Sequence, residues 1–210
     1  MKTKVVFLVL CLMFVMGSCW AMTSTDIQEA IRIGYIAADD KKDFVYNQKD
    51  SDRIYAGLDM QYRADAFLMF PQSTVATYAL KTKKNYMKLD DTKAAQYSNL
   101  YTLGVTYTIQ FKDKIQQVVN PRVVALQDDK VIEPCELIYG DVQVNHDMWG
   151  KALYGYGVTA RFNANDIDTN KALTIKVIST SSRELTFRYD LSNSNNAYKS
   201  TRNDYKFKEG

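Results

Sequence analysis

The spacing of the apolar residues changes at Gly104, and this change constrains the fold more than any other feature of the sequence. Beyond it, apolar and polar residues alternate without interruption through the stretch Val105-Thr106-Tyr107-Thr108-Ile109-Gln110-Phe111-Lys112. Such alternation predicts a β-strand with one buried face. Before Gly104, apolar residues recur instead every three or four positions, which is typical of amphipathic helices. The sequence therefore predicts helices first and strands afterwards.

Three helices are predicted before this point. Residues 24–38 form the first, with Thr25 as the expected N-cap. The second is predicted over residues 71–89, because proline at the start of a helix has no N–H to leave unpaired. Asp90 or its neighbour caps a third, short helix that ends near residue 100. Residues 66–70 form a short apolar run, which predicts a buried strand or a tightly packed segment.

Several short strands are predicted after Gly104. Asp128 and Asp129 separate two strand-like runs at 123–126 and 130–138, which indicates a hairpin. Further strands are expected at 141–144, 157–162, 172–179 and 184–191, whereas residues 146–157 show less regular spacing. Short strands separated by turns favour an antiparallel sandwich. We predict an α+β fold, with N-terminal helices packed on a C-terminal antiparallel β-sandwich of Ig-like architecture.

The predicted organisation has four parts. Residues 1–21 form a signal peptide, 22–103 a mainly helical region, 104–191 the β-sandwich and 192–210 a polar tail. Removing the signal peptide leaves a formal charge of +1, because the signal carries two of the lysines and no acidic residue. This charge provides no electrostatic surface for nucleic acid, and we expect no nucleic-acid partner.

The first 21 residues have the layout of a secretory signal peptide. Lys2 and Lys4 precede an apolar run of 12 residues at 5–16, and small residues follow. The run is shorter than the ~20 residues of a membrane-spanning helix. Cleavage after Ala21 would release a soluble protein, and an uncleaved short anchor helix is a third outcome. We favour cleavage before Cys19, since residues 16–19 resemble a bacterial lipobox, although methionine stands where leucine is usual.

Few residues could carry catalysis or bind a metal. His146 is the single histidine, and it lacks the converging nucleophile and acid that a hydrolytic triad needs. Cys135 is a potential nucleophile, but we expect it to be buried in an apolar strand. Residues 166–170 resemble the first half of a calcium loop, yet Lys171 occupies the position where the EF-hand requires glycine. We therefore predict no catalytic, metal or cofactor site, and a turn at 166–170.

Aromatic residues and glycines alternate between residues 146 and 157. We name His146, Trp149, Tyr154 and Tyr156 as candidate ligand contacts, since rigid aromatic rings beside flexible glycines suit sugar or peptide binding. Packing of the same rings at the end of the sandwich is the alternative that we favour.

The chain resembles small exported bacterial proteins and lipoproteins, because it combines a signal peptide with a layout of helices followed by strands. Our leading hypothesis is an extracytoplasmic, membrane-anchored protein without catalytic activity, which binds a partner or assists assembly at the cell envelope. A soluble secreted module for glycan or peptide is the alternative, and a hydrolase ranks third.

Overall fold

The computed structural model describes residues 22–42, 62–180 and 184–191, which form helices and two antiparallel sheets. The predicted mixed α+β class is confirmed, with strands predominating. The predictions for the signal peptide, including Cys19, and for the polar tail at 192–210 concern residues outside the described part. Among the described residues, no helix combines the length and the apolar character required to cross a membrane.

Within the described ranges, three α-helices lie near the predicted positions. They are α1 (Ser24–Asp39), α2 (Pro71–Lys84) and α3 (Asp91–Tyr97). The predicted cap of α1 at Thr25 was wrong. Thr23 is the N-cap, because its hydroxyl accepts a hydrogen bond from the N–H of Asp26 while the Asp26 carboxylate accepts one from the N–H of Thr23.

The second helix ends earlier than predicted. It stops at Lys84, and Tyr86 then adopts a positive φ of 54°, which turns the chain away from the helix axis. The third helix begins as predicted, because Asp90 accepts hydrogen bonds from the N–H groups of Thr92 and Lys93.

Among the described residues, nine strands form the two sheets. They are β1 (Tyr62–Met69), β2 (Leu100–Ile109), β3 (Arg122–Gln127), β4 (Lys130–Ile132), β5 (Glu136–Tyr139), β6 (Gln143–His146), β7 (Ala152–Asn163), β8 (Ala172–Ile178) and β9 (Glu184–Asp190). In the first sheet the order is β1-β2-β7, with both β5 and β6 paired to the far side of β7. The second sheet has the order β4-β3-β8-β9. The region predicted to be mainly helical therefore contributes the whole of β1 to the first sheet.

Strand alternation produces the main core. Residues at every second position of β2 and β7, such as Tyr107 and Phe162, share one apolar cluster with Ile175 and Phe187 of the second sheet. This cluster joins the two sheets. A second, separate cluster lies between α1 and α2 and is built largely from small residues, including Ala30, Ala76 and Ala79. The helix pair consequently has its own core.

Polar contacts attach the helices to the first sheet. The hydroxyl of Thr74 on α2 lies 3.2 Å from that of Thr102 on β2, and the hydroxyl of Thr77 lies 3.6 Å from the sulfur of Met69 on β1. The helices thus contact strands β1 and β2 of this sheet, whereas β5 and β6 form its opposite edge, beyond β7.

Candidate functional site

Strands β5 and β6 form one interrupted edge along β7. Tyr139 pairs with Val158, and Gln143 pairs with Gly155, so three edge residues stand opposite two residues of β7. This mismatch is a β-bulge. Gly140 occupies it, where its N–H donates to the carbonyl of Gly157 at 2.8 Å. We call residues 136–146 the edge strand.

The outer side of the edge strand has no partner among the described strands. Leu137 packs against the main core, but the four other apolar side chains of the edge strand are exposed, with Val144 the most exposed at 55%. The others are Ile138, Tyr139 and Val142. Lysine and proline are common devices that prevent unwanted pairing at sheet edges, and residues 136–146 contain neither. The bulge and the charges of Glu136 and Asp141 protect the first part of this edge, and the backbone of β6 beyond them has no partner among the described strands.

A tight turn at the end of β6 presents two large apolar side chains to solvent. The Asp147 carboxylate accepts hydrogen bonds from the N–H groups of Trp149 at 2.9 Å and Lys151 at 2.8 Å. Gly150 takes a positive φ of 76°, which glycine adopts without strain. Met148 and Trp149 are 84% and 82% exposed at this tip. The turn therefore extends the apolar surface of the edge strand.

The four candidate ligand contacts do not form one cluster. The predicted irregular segment at 146–157 is instead a β-hairpin of β6 and β7. Trp149 is at its exposed tip, and His146 is the exposed last residue of β6. Tyr154 is half-buried opposite Val144, and it packs against the main core. His146 lies opposite Ala152, on the same face of the hairpin as Tyr154 and Tyr156, so it is position along the hairpin that separates the exposed pair from the tyrosines.

Tyr156 belongs to the core, with only 3% of its surface exposed. Its hydroxyl accepts a hydrogen bond from the N–H of Asn120 at 3.0 Å, and burial raises the pKa of this phenol. The ring packs among core side chains, because residues 156, 158, 160 and 162 of β7 all point inward. The contact of Tyr156 with a ligand stays an untested prediction.

Cys135 and His146 lie far apart. The N–H of Cys135 donates to the carbonyl of Arg161, whereas His146 pairs with Ala152. Arg161 and Ala152 are nine residues apart along β7. At about 3.3 Å per residue, this separation is about 30 Å. The prediction that Cys135 is buried in an apolar strand was also wrong, since the thiol is exposed between β4 and β5. These two residues cannot act together.

The calcium-like segment at 166–170 is a turn held by a buried side chain. Gln127 is 5% exposed; its amide donates to the carbonyl of Asp168 and accepts from the N–H of Asp168, both at 2.7 Å. The Asp168 carboxylate accepts from the N–H of Asn170 at 3.0 Å. Among the described residues, no group of three or more His, Cys, Asp or Glu side chains could hold a metal ion.

Two glycines in the middle of β7 have room for a side chain, which would make only ordinary van der Waals contacts. A Cβ at Gly155 would meet nothing nearer than 3.8 Å, and one at Gly157 nothing nearer than 4.0 Å. Gly104 differs, because the ring of Phe67 covers it. Glycine weakens a strand interior and often marks a place where a ligand or another backbone approaches closely. Gly155 and Gly157 thus form a flat floor beside Gln143.

No family model and no curated protein matches this chain. The sequence predicted a strand at 141–144, which overlaps β6, but did not identify it as a binding edge. Val142 and Val144 alternate with Gln143 and Asn145, which is the pattern of a strand with one apolar face. Their exposure cannot be deduced from this pattern, because it depends on how far the second sheet extends.

Proposed function

We propose that this protein is an exported, non-catalytic binding and assembly protein of the cell envelope, and that it binds a protein partner through the edge strand. The observation that carries this proposal is the outer side of residues 142–146, which contain no lysine, proline or acidic residue and have no partner among the described strands. An extended segment can add to such an edge as a further strand, with main-chain hydrogen bonds supplying affinity and alternate side chains supplying specificity. The fold proposed to carry this edge is an Ig-like sandwich, which is supported by the core that the two sheets share.

The hairpin tip adds a second element to the proposed surface. Met148 and Trp149 extend the apolar side chains of Val142 and Val144 beyond the end of β6. Contiguous exposed apolar residues mark interaction sites on proteins, and aromatic residues and methionine are enriched in the centres of interfaces. The proposed partner contact therefore runs from the bulge at Gly140 to the tip.

Membrane attachment through Cys19 is the proposed means of localisation. Its support is the signal-like sequence and the lipobox-like residues 16–19. The test is the intact mass of the mature protein from a bacterial host. A lipid-modified chain that begins at Cys19 and fractionates with membranes supports attachment, and Cys19→Ser should abolish it. A chain that begins at Met22 in the soluble fraction contradicts attachment and leaves the edge-strand proposal intact.

Photo-crosslinking tests whether the edge strand binds a protein. A benzophenone amino acid replaces Val144 in the full chain, and intact cells are irradiated. Val131 is the matched control, because it is also a valine, is also 55% exposed and lies on β4. We expect adducts of defined mass from position 144 and none from position 131. The absence of adducts at position 144, with the protein correctly folded and exported, would refute the proposed function.

Binding of a glycan is a second candidate, favoured by the open glycine floor of β7. Flat polar ligands need close access to a surface, and the amides of Gln143 and Asn145 border Gly155. Gly157→Val should block this floor while retaining a residue that strands favour. Glycan-array binding that is present in the wild type and lost in this variant would support the candidate. Equal binding by both proteins would reject the floor as the site.

A further inference from the structure

We propose that the end of helix α2 and the loop after it bind the anionic surface of a lipid bilayer. We call residues 81–88 the basic segment, because they contain four lysines and no acidic residue. The contact is independent of the edge strand and of lipid attachment at Cys19, since it uses other residues and other chemistry. Its support comes from an exposed ring, from the distribution of charge and from the choice of lysine over arginine.

Tyr86 is exposed because of the way in which α2 ends. The N–H of Tyr86 donates to the carbonyl of Lys83 at 3.1 Å, and the N–H of Met87 donates to that of Thr82 at 2.9 Å. These bonds form a Schellman motif, in which the residue with positive φ is usually glycine because a side chain there costs free energy. Tyrosine occupies this position with a φ of 54° and is 99% exposed. Packing within the described residues therefore does not explain the ring.

Met87 places a second apolar side chain beside the ring. The residue at this place in a helix end commonly packs back against the last turn, yet Met87 is 65% exposed. Contiguous exposed apolar residues mark interaction sites for proteins or membranes. Tyrosine is enriched at the membrane–water interface, where its amphipathic ring lies at the level of the headgroups. Tyr86 and Met87 together fit this environment.

Positive charge is concentrated around these two side chains. Four of the 25 basic residues that follow the predicted signal peptide lie in the basic segment, and the other 21 are outnumbered by 24 acidic residues. The rest of the mature chain thus has a formal charge of −3. Asp39 pairs with Lys83 at 2.7 Å, and Asp90, the next acidic residue along the chain, caps α3. An anionic bilayer attracts each lysine that is held near its surface.

Lysine without arginine favours a lipid surface over other anionic partners. Protein interfaces are enriched in arginine and depleted in lysine. Recognition of nucleic acid also favours arginine, whose planar guanidinium binds phosphate through two hydrogen bonds at once. Lysine has a compact charge on a flexible stem, so the stem can cover apolar surface while the ammonium group reaches the headgroups. The composition of the basic segment therefore favours an anionic bilayer.

Vesicle co-sedimentation tests the choice of partner. The chain from Met22 is used, because it contains every described residue and carries no lipid. We expect it to bind vesicles of phosphatidylcholine mixed with phosphatidylglycerol, and to be released as the salt concentration is raised. Vesicles of phosphatidylcholine alone should not bind it. Equal binding to both kinds of vesicle would overturn the proposal, and so would binding of an acidic protein or a nucleic acid without any binding of vesicles.

Two matched pairs of lysines test the location of the contact. Lys81 and Lys88 are exposed in the basic segment, and Lys112 and Lys151 are exposed elsewhere. Lys81→Gln combined with Lys88→Gln should weaken binding to anionic vesicles at least about tenfold. Lys112→Gln combined with Lys151→Gln removes the same charge and should leave binding nearly unchanged. Equal losses from the two pairs would overturn the proposal, because binding would then follow net charge alone.

Tyr86→Gly separates membrane contact from folding. Glycine adopts the positive φ without strain, so this variant should unfold at a higher temperature than the wild type. Its binding to anionic vesicles should nevertheless decrease at least about threefold, because the apolar area of the ring is lost. Unchanged binding by the folded variant would overturn the contact at Tyr86.

Tryptophan fluorescence reports which side chain enters the interface. In the chain from Met22 the wild-type emission comes from Trp149 alone, and anionic vesicles should not shift it. Tyr86→Trp in a Trp149→Phe background should instead emit at a shorter wavelength when these vesicles are added. A shift from Trp149 with none from position 86 would place the contact at the hairpin tip and overturn the proposal.

Discussion

Substituting Gly34 by alanine should destabilise the protein, although alanine in a helix interior is ordinarily more favourable than glycine by about 1 kcal/mol. Gly34 lies on α1 where it faces α2. A methyl group built there would lie 2.8 Å from the Cβ of Ala79 and closer still to the carbonyl oxygen of Ala76. A backbone carbonyl cannot rotate away as a side chain can, so the two helices would have to separate.

The size of the effect follows from two opposing contributions. Forcing extra atoms into a packed core costs about 1–3 kcal/mol, and a backbone obstacle places this site at the upper end. Against this stands the gain of about 1 kcal/mol from helix propensity. We expect a net loss of about 2 kcal/mol in the free energy of unfolding. For a chain of this length, that loss corresponds to a decrease in Tm of about 4–8 °C.

Urea denaturation followed by circular dichroism measures this loss. The control is Gln28→Ala, an exposed position on the same helix, for which we expect a change within about 0.5 kcal/mol. Adding Ala79→Gly to Gly34→Ala should recover only part of the stability, because the Ala76 carbonyl remains. Equal or greater stability of Gly34→Ala would refute the close approach of α1 and α2.

Three further predictions concern the contributions of single side chains to stability. Gln127→Ala should cost about 2 kcal/mol in urea denaturation, because it leaves the N–H and C=O of Asp168 without their partner; a change below about 0.5 kcal/mol would contradict the buried bonds. Thr23→Ala should cost about 1 kcal/mol through loss of the α1 cap, and unchanged thermal unfolding would reject that cap. Burial raises the pKa of Tyr101 from 10.0 to about 12. The unfolded chain therefore loses this proton near pH 10 and the folded chain only near pH 12, so stability should fall by about 2–3 kcal/mol across this window. In Tyr101→Phe, stability should fall less steeply between pH 10 and pH 12. The same dependence of stability on pH in the variant and the wild type would contradict the raised pKa of Tyr101.

The strands that carry a strict alternation could be predicted from the sequence. The alternation beyond Gly104 indicated β2, and Asp128–Asp129 indicated the β3–β4 hairpin; the structure confirms both. Their signal is local, because strand periodicity records which face is buried. Boundaries were less predictable. Phe111 continues the alternation of β2 but lies beyond its end, at the start of a 3-10 helix (Lys112–Gln117).

The candidate site was less predictable, because it depends on contacts between distant segments. Residues 130–138 look like one strand, yet the chain leaves the second sheet at Ile132 and joins the first at Glu136. Pro134, which lacks an N–H for a sheet ladder, lies at this crossing. The crossing exposes Cys135 and starts the edge strand. The sequence contains the aromatic residues of the hairpin, but only the pairing of β6 with β7 separates the exposed Trp149 from the buried Tyr156.

The separate core of the helix pair has a mechanical consequence. In a chain held to a membrane near its N terminus, an applied force enters the described part of the protein at α1. The contact of α1 with α2 rests on small residues, and α2 meets the sheet through hydroxyl groups. The helix pair would then yield to tension before the joined sheets, whose core contains the larger side chains. Yielding of the helix pair would lengthen the chain between the membrane and the sheets and would leave the shared core of the sheets intact.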